Sequence, residues 1–337
     1  MFIYFRPIYF EMLNNLTTSI VIRALNEQLH IGKLLYGIQQ QTKLPDEIIL
    51  VDSGSTDDTL LIASSYEVKI EKISKQDFTF GRALNIGCNL ANNDILIFLS
   101  AHVYPLDKNW LSNLIKPFED DSVACSYGKQ RGNAKTKFSE HQVFLSYFPN
   151  EVADIKTNYF CNNANCAIRK KAWQKIRYDE DLTGLEDLDW AKKQHNIGNK
   201  IVYVPSAEII HVHEESWRQI KNRYKREAIA LRRIESHISM NFFNLTYLIF
   251  LSIFSDLLAT RSIKSLRANW ISIIFFRFNQ YLGTYEGLNL KNNEINQLKS
   301  TFYYPPRKIK ENKGKLNNIK NSNNNEKLKN LINYDSF

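Results

Sequence analysis

Cysteine is scarce: the chain has four in 337 residues, Cys88, Cys125, Cys161 and Cys166, and none forms a Cys-x-x-Cys pair. That argues against a disulfide framework or a cysteine zinc site. Small apolar side chains in a reducing compartment are the expectation. No cleavable signal peptide is visible. The aromatic start, MFIYFRPIYFEM, is too short to cross a bilayer and reads as an extension, with Met12 as an alternative initiator. RNA-binding signatures, zinc-finger spacings and basic heptads are all missing, so nucleic acid is not an expected partner. The formal net charge of +9, with much of the excess after Arg218, then points to an anionic membrane surface or a phosphorylated substrate. No internal repeat is present.

What is there is an alternation of apolar runs and helical patterns. Thr18 to Ala24 is an expected strand, followed by a helix opening at Asn26-Glu27 and reaching about Gln40. Glu47 to Val51 is a second strand, Thr59 to Ser65 a helix, Val68 to Ile73 a third strand, Phe80 to Ala91 a helix and Ile95 to Leu99 a fourth strand. Strands alternating with helices predict an α/β fold with a mostly parallel sheet and helices on both faces. The pattern then turns mixed. A helix is expected at Leu111 to Phe118, strands at Val123 to Gly128 and Asn165 to Arg169, and a helix at Lys171 to Ile176. Residues Lys129 to Asn158 carry no clear period. Leu185 to Gln194 reads as a helix, and Lys200 to Val204 as a short strand ending at Pro205. A basic helix covers Trp217 to Ile234, and apolar runs occupy Phe242 to Ala259 and Trp270 to Phe278. From Lys308 to Phe337 the chain is rich in Lys and Asn and too poor in apolar residues to offset chain entropy, which predicts disorder.

Three segments could carry chemistry. In IILVDSGSTDDT, a buried strand delivers Asp52 to its C-terminal tip, before a tight polar turn and a capped helix. Ligands of open α/β sheets bind at such strand ends; the bland alternative is an N-cap turn. In LTGLEDLDWAKK, Gly184 breaks the chain and Glu186, Asp187 and Asp189 fall in the first turn of a helix. Acids there complement the helix dipole, which explains one or two of them. In IIHVHEESW, His211 and His213 alternate along an extended segment and so point to one side, where two imidazoles can grip a metal or a diphosphate.

The order of these features resembles the family 2 glycosyltransferases, which have the GT-A fold. The likeness rests on Asn26-Glu27 after the first strand, Asp52 to Asp58 after the second, GRALNIG (Gly81 to Gly87) on the following helix, and FLSAHVYP at the end of the fourth strand. It covers about Thr18 to Gly287, and within the family bacterial rhamnosyltransferase-like enzymes of surface polysaccharide assembly are the most similar. The resemblance implies an inverting transfer from a nucleotide-diphosphate sugar to a saccharide or lipid-linked saccharide. It implies donor contacts at Asn26, Glu27, Asp52, Arg82, Ser100 and His102, with Asp187 as general base and Glu186 positioning the acceptor. The stretch CNNANCAIRKKAW resembles the family's acceptor-site lining, which implicates Asn162, Asn163 and Asn165. Asp189 is expected to be a solvated or capping acid.

One departure stands out. Where the family places Asp-x-Asp, this chain has Ser100-Ala101-His102. The second aspartate of that motif binds a divalent cation, manganese or magnesium. Imidazole can ligate manganese or zinc but brings no negative charge. The expected metal set is therefore His102, His211 and His213, with cation use itself left open. A degenerate saccharide-binding or partner-binding protein is the alternative. A nucleotidyltransferase is a third reading, although Arg23 to Glu27 lacks the glycine-rich basic loop it would favour.

The expected division is an extension (1–16), a catalytic domain (17–215, with a nucleotide-sugar half at 17–130 and an acceptor half at 131–215), a basic and apolar helical extension (216–290) and a Lys/Asn-rich tail (291–337). Asp256 and the spaced Asn and Ser residues of Phe242 to Ala259 argue against a transmembrane helix. Helices lying in the interface of an anionic membrane are expected, in a cytoplasmic protein peripheral to the inner face of the cell membrane. Packing on the catalytic domain or a homodimer surface is the competing use of these helices.

Overall fold

The structure, a computed structural model, describes residues 16–152 and 158–291, together with Glu294 and Tyr303. Its first strand, β1 (Thr18–Ala24), lies centrally and is buried along almost its whole length. Parallel partners flank it: β2 (Glu47–Asp52) on one side and β4 (Ile95–Ser100) on the other, with β3 (Lys69–Lys72) beyond β2. Continuous apolar runs such as IILV and ILIFL suit strands covered on both faces.

Beyond β4 the sheet changes direction. β7 (Asn165–Arg169) pairs antiparallel with both β4 and β6 (Val123–Arg131). β6 then runs parallel to β8 (Lys200–His211), and the short β5 (Val103–Pro105) closes the edge antiparallel to β8. The order is β3-β2-β1-β4-β7-β6-β8-β5, a mixed and mostly parallel sheet of eight strands. Helices α1 (Ile31–Gln39), α2 (Thr59–Ala63), α3 (Phe80–Leu90), α4 (Trp110–Ile115), α5 (Phe138–Tyr147), α6 (Lys170–Lys175) and α7 (Glu186–Asn196) accompany it. Two apolar layers sandwich the sheet, one around Val21, Phe98 and Trp190, the other around Ile22, Leu34 and Trp110.

Several elements differ from the sequence expectation, and three of these differences have a plain physical reason. Asn26 does not open a helix: its φ is 56°, in the left-handed region, and α1 begins only at Ile31. β8 does not stop at Pro205. The β6–β8 register shifts between the pairs Gly128–Val204 and Gln130–Ile209, so Pro205 sits where the ladder asks no bond of it. The stretch without a clear period contains α5, whose apolar residues do not form one stripe.

After the sheet come α8 (Trp217–Ile234), α9 (Phe242–Ala259) and α10 (Ile263–Asn289). α8 and α9 match their expected spans, and both open with a capping box, Ser216 with Gln219 and Asn241 with Asn244. α10 packs closely on α8. A Cβ at Gly283 would stand 2.3 Å from the Lys221 carbonyl oxygen, and one at Gly287 2.3 Å from that of Lys225. The expected extension at 1–16 (apart from Leu16) and the expected disorder from Lys308 onward lie outside the described residues.

Candidate active site

The tips of β1, β2 and β4 lie side by side, with Ala24 opposite Asp52 and Arg23 opposite Ser100. Asp52 is buried, and its carboxylate accepts the Gly54 amide at 2.9 Å and the Ser55 amide at 3.0 Å. Gly54 takes a φ of 97°, which glycine adopts without steric cost. Asn26 ties the first loop to the same turn: its amide donates to Ser55 Oγ at 2.8 Å, and its Oδ1 accepts from Thr56 N at 2.8 Å. Asn26 and Asp52 thus build the floor at the strand ends by shaping backbone.

Glu27 reaches across to β4. Its Oε1 lies 3.1 Å from His102 Nδ1. The antiparallel pairing of Val103 with His211 brings His102 against the end of β8, where its ring stacks on His211 at 5.1 Å. His211 Nδ1 faces Gln130 Oε1 at 2.8 Å, and His213 Nδ1 faces Glu140 Oε1 at 2.8 Å. Carboxylates only accept, so Nδ1 of His102 and His213 carries a hydrogen, which leaves Nε2 as the atom facing the cluster. Burial, His213, His102 and Arg223 hold the His211 imidazole well below its ordinary pKa, so it is neutral at pH 7.

The result is three imidazoles whose metal-ligating atoms lie within 4.8 Å of one another. His211 Nε2 and His213 Nε2 are 3.1 Å apart. Two facing lone pairs repel at that distance unless a proton or cation lies between them. A single ion with bonds of about 2.0–2.1 Å to imidazole spans such a gap. Acceptors on the outer nitrogens are the usual support of metal-binding histidines. The residues therefore fit a divalent cation.

Glu140 anchors this cluster from α5. Burial would raise its pKa, but Arg223 at 2.8 Å and the hydrogen bond from His213 outweigh it and hold the carboxyl at about 2. Ser100 Oγ lies 3.1 Å from His102 Nε2. A fourth imidazole, His30, hydrogen-bonds the Tyr104 hydroxyl and lies 6.2 Å from the His102 ring.

The acid pair opens α7. Leu185 caps α7 with a φ of 56°, a left-handed conformation costing roughly 1–2 kcal/mol for a residue with a Cβ. Glu186 and Asp187 follow at once. Glu186 Oε1 meets Arg23 Nη1 at 3.1 Å, and the Arg23 guanidinium lies 5.0 Å from the centre of the Phe80 ring. Asp187 accepts the Asn163 amide and its neighbour's amide, Leu188 N, each at 2.8 Å. Burial pushes the Asp187 carboxyl well above the ordinary range, and Glu186 and Cys161 push the same way. Asp189 pairs with Lys193 at 2.6 Å, one helical turn on.

A polar chain links the two halves. Asn163 N donates to Asp187, Gln130 Nε2 donates to Asn162 Oδ1 at 3.0 Å, and Gln130 Oε1 meets His211. Asn163 Nδ2 is buried without an acceptor among the described residues. Asn165 departs from the acceptor expectation. It is wholly buried and bonded to Trp110, the Lys129 carbonyl and the Ala207 carbonyl, so it braces the sheet. Arg82 pairs with Glu180 at 2.7 Å and donates to the Asp77 carbonyl at 3.0 Å. All four cysteines are free and buried.

Arg23, Gln130 and Glu140 were not singled out from sequence. Arg23 had a signal, as the one charge in the apolar run TSIVIRA. Gln130 and Glu140 sit in the stretch without a period and had none.

Known proteins resemble the chain in sequence and in fold. The sequence profile of glycosyl transferase family 2 matches residues 19–177. The chain is 28% identical to the O-antigen chain rhamnosyltransferase RfbN of Salmonella typhimurium, over 61% of this chain and 69% of that one. With WbaN of Salmonella anatum, an O-antigen chain rhamnosyltransferase too, it shares 30% identity over 56% of this chain and 64% of that one. In three dimensions it superposes on a Pyrobaculum calidifontis mannosyltransferase bound to GDP-Man and Mn2+, with a TM-score of 0.57 at 16% identity, covering 82% of this chain and 88% of the other. Glucosyl-3-phosphoglycerate synthase of Mycobacterium tuberculosis, with Mg2+ and UDP, gives 0.51 at 18% identity over 68% and 85%. The chain is thus similar to glycosyl transferase family 2 over residues 19–177, and it has the GT-A fold.

Proposed function

We propose that the protein transfers a sugar, with inversion, from a nucleotide-diphosphate donor to a saccharide or lipid-linked saccharide in surface polysaccharide synthesis. The acid pair carries this reading: Glu186-Asp187 opens a helix against the tip of β1, and Glu186 is pinned there by Arg23.

Asp187 is the base. A carboxyl with a raised pKa ionises reluctantly and, once ionised, takes a proton avidly, which is what an attacking hydroxyl requires. The Asn163 and Leu188 amides aim it. Glu186, fixed by Arg23, shapes the acceptor side, together with Asn162 and Asn163. The turn built by Asn26 and Asp52 serves the nucleotide. Arg82 joins it, because its half-exposed ion pair with Glu180 is cheaply exchanged for a phosphate.

His102, His211 and His213 would hold a divalent cation, which would supply Lewis-acid stabilisation of the departing diphosphate. Glu27, Gln130 and Glu140 orient those imidazoles, and Ser100 adds a hydroxyl beside them. The relatives RfbN and WbaN support a saccharide acceptor of the O-antigen kind. The location is cytoplasmic, at the inner face of the cell membrane.

The missing Asp-x-Asp favours one rival, a saccharide-binding protein without turnover. Incubation with uridine, thymidine and guanosine diphosphate sugars separates the two. Transfer or donor hydrolysis that is lost in Asp187→Asn supports the enzyme. Tight saccharide binding with no turnover on any donor supports the rival.

A further inference from the structure

Helices α9 and α10 form a hairpin built inside out. Four polar side chains meet between them. Asp256 on α9 and Arg277 on α10 form a buried bidentate pair, with both contacts at 2.7 Å. Ser252 Oγ meets the Tyr281 hydroxyl at 2.7 Å in the same seam. The outer face is apolar. Phe243, Tyr247, Phe250, Phe254 and Leu258 are each more than half exposed, and their spacing of three or four residues makes one stripe. Trp270, Ile274 and Phe278 continue the patch on α10. A surface helix in water shows the opposite arrangement, and a contiguous aromatic patch of this extent marks an apolar partner.

The charges say which partner. Arg261, Lys264 and Arg267 are exposed at the turn of the hairpin, with no ion-pair partner among the described residues. From Leu257 to Tyr285 the sequence contains no Asp or Glu. A bare cationic turn beside an aromatic face is complementary to anionic lipid headgroups over acyl chains. A second copy would bring the same positive charges.

We infer that the α9–α10 hairpin docks the enzyme on an anionic membrane surface, its aromatic stripe entering the headgroup boundary and Arg261, Lys264 and Arg267 contacting lipid phosphates. α9 has the length and composition of a membrane span. Its inward face packs on α10 through the Asp256–Arg277 pair. The hairpin is mounted rigidly on the catalytic half. α10 packs on α8 at Gly283 and Gly287, and α8 carries Arg223, which holds Glu140 and through it His213. Docking therefore fixes the height of the cleft above the lipid. The inference rests on the proposed function for the lipid-linked acceptor, and not for lipid binding itself.

Co-sedimentation of the full chain tests it, using vesicles of phosphatidylcholine alone and of an equal mixture with phosphatidylglycerol. The mixed vesicles should bind at least about tenfold more protein, and added salt should reverse this. Phe250→Ser with Phe254→Ser should abolish binding, while the melting temperature and its rise with a nucleoside diphosphate stay unchanged, because both side chains are exposed. Arg261→Glu with Lys264→Glu should remove the preference for anionic lipid. Indifference to both vesicle types overturns the inference. So does a dimer in light scattering that the Phe250/Phe254 variant dissociates, since the patch is then a self-interface. Lipid binding without transfer on any donor leaves the inference standing and defeats the proposed function instead.

Discussion

Glu186 Oε1 and Arg23 Nη1 stand 3.1 Å apart, although 163 residues separate them in the chain. This contact joins the first strand of the sheet to the acid pair. Arg23→Gln leaves a buried carboxylate without its cation, at a cost of about 1–3 kcal/mol. A melting temperature lowered by several degrees is expected. Glu186→Gln in the same chain should restore part of the loss, so the double variant is more stable than additivity predicts.

Asp187→Asn should lower turnover by about 10²–10⁴-fold, with much less effect on donor affinity. The same variant has a stability signature. The folded-state pKa of Asp187 is raised, so above the ordinary carboxylate pKa the fold increasingly opposes ionisation that the unfolded chain accepts freely. Wild-type stability is therefore eroded as pH rises from that value towards the folded pKa. The difference in melting temperature, variant minus wild type, should grow more positive from acidic to mildly alkaline pH. A difference independent of pH would refute the raised pKa.

Glu140 has the opposite sign. Its folded pKa of about 2 lies below the ordinary 4.5, so its stabilising effect is complete above that value and is lost as pH falls towards 2. Glu140→Gln should destabilise the protein at neutral pH, and the gap to wild type should close on acidification. Thermal melts across that range check it.

The imidazole cluster predicts a metal preference. Three imidazole ligands with no inner carboxylate favour zinc or cobalt over magnesium. Calorimetric titration of metal-free protein should show that order. His211→Ala should weaken zinc binding by at least about tenfold, and magnesium binding as tight as zinc would contradict the three-imidazole set.

Much of the frame was legible from sequence because local signals and tertiary packing agreed. β1, α8 and α9 occupy their expected spans, where an unbroken apolar run or a strong cap left no rival conformation. Legibility failed where tertiary contacts override a local rule. Pro205 reads as a strand end, yet β8 continues through it because the register shift excuses its missing amide. Asn26-Glu27 reads as a helix start, yet Glu27 is drawn to His102. Asp256 was visible as a charge in an apolar helix, while its partner Arg277 lies on another helix and could not be paired with it from sequence. His211 and His213 could be placed on one side of a strand. The Gln130 and Glu140 groups that fix their tautomers lie 81 and 73 residues away, in the stretch without a clear period.

The claim beneath all of this is that the strand tips, the imidazole cluster and the acid pair enclose one activated sugar. The most direct measurement is a crystal structure of the full chain with a nucleotide-diphosphate sugar and zinc or manganese. The account predicts the diphosphate beside His102, His211 and His213, the nucleotide against the Asp52 turn, and Asp187 facing the open side of the anomeric carbon. A nucleotide bound elsewhere, or a sugar out of reach of Asp187, would contradict it.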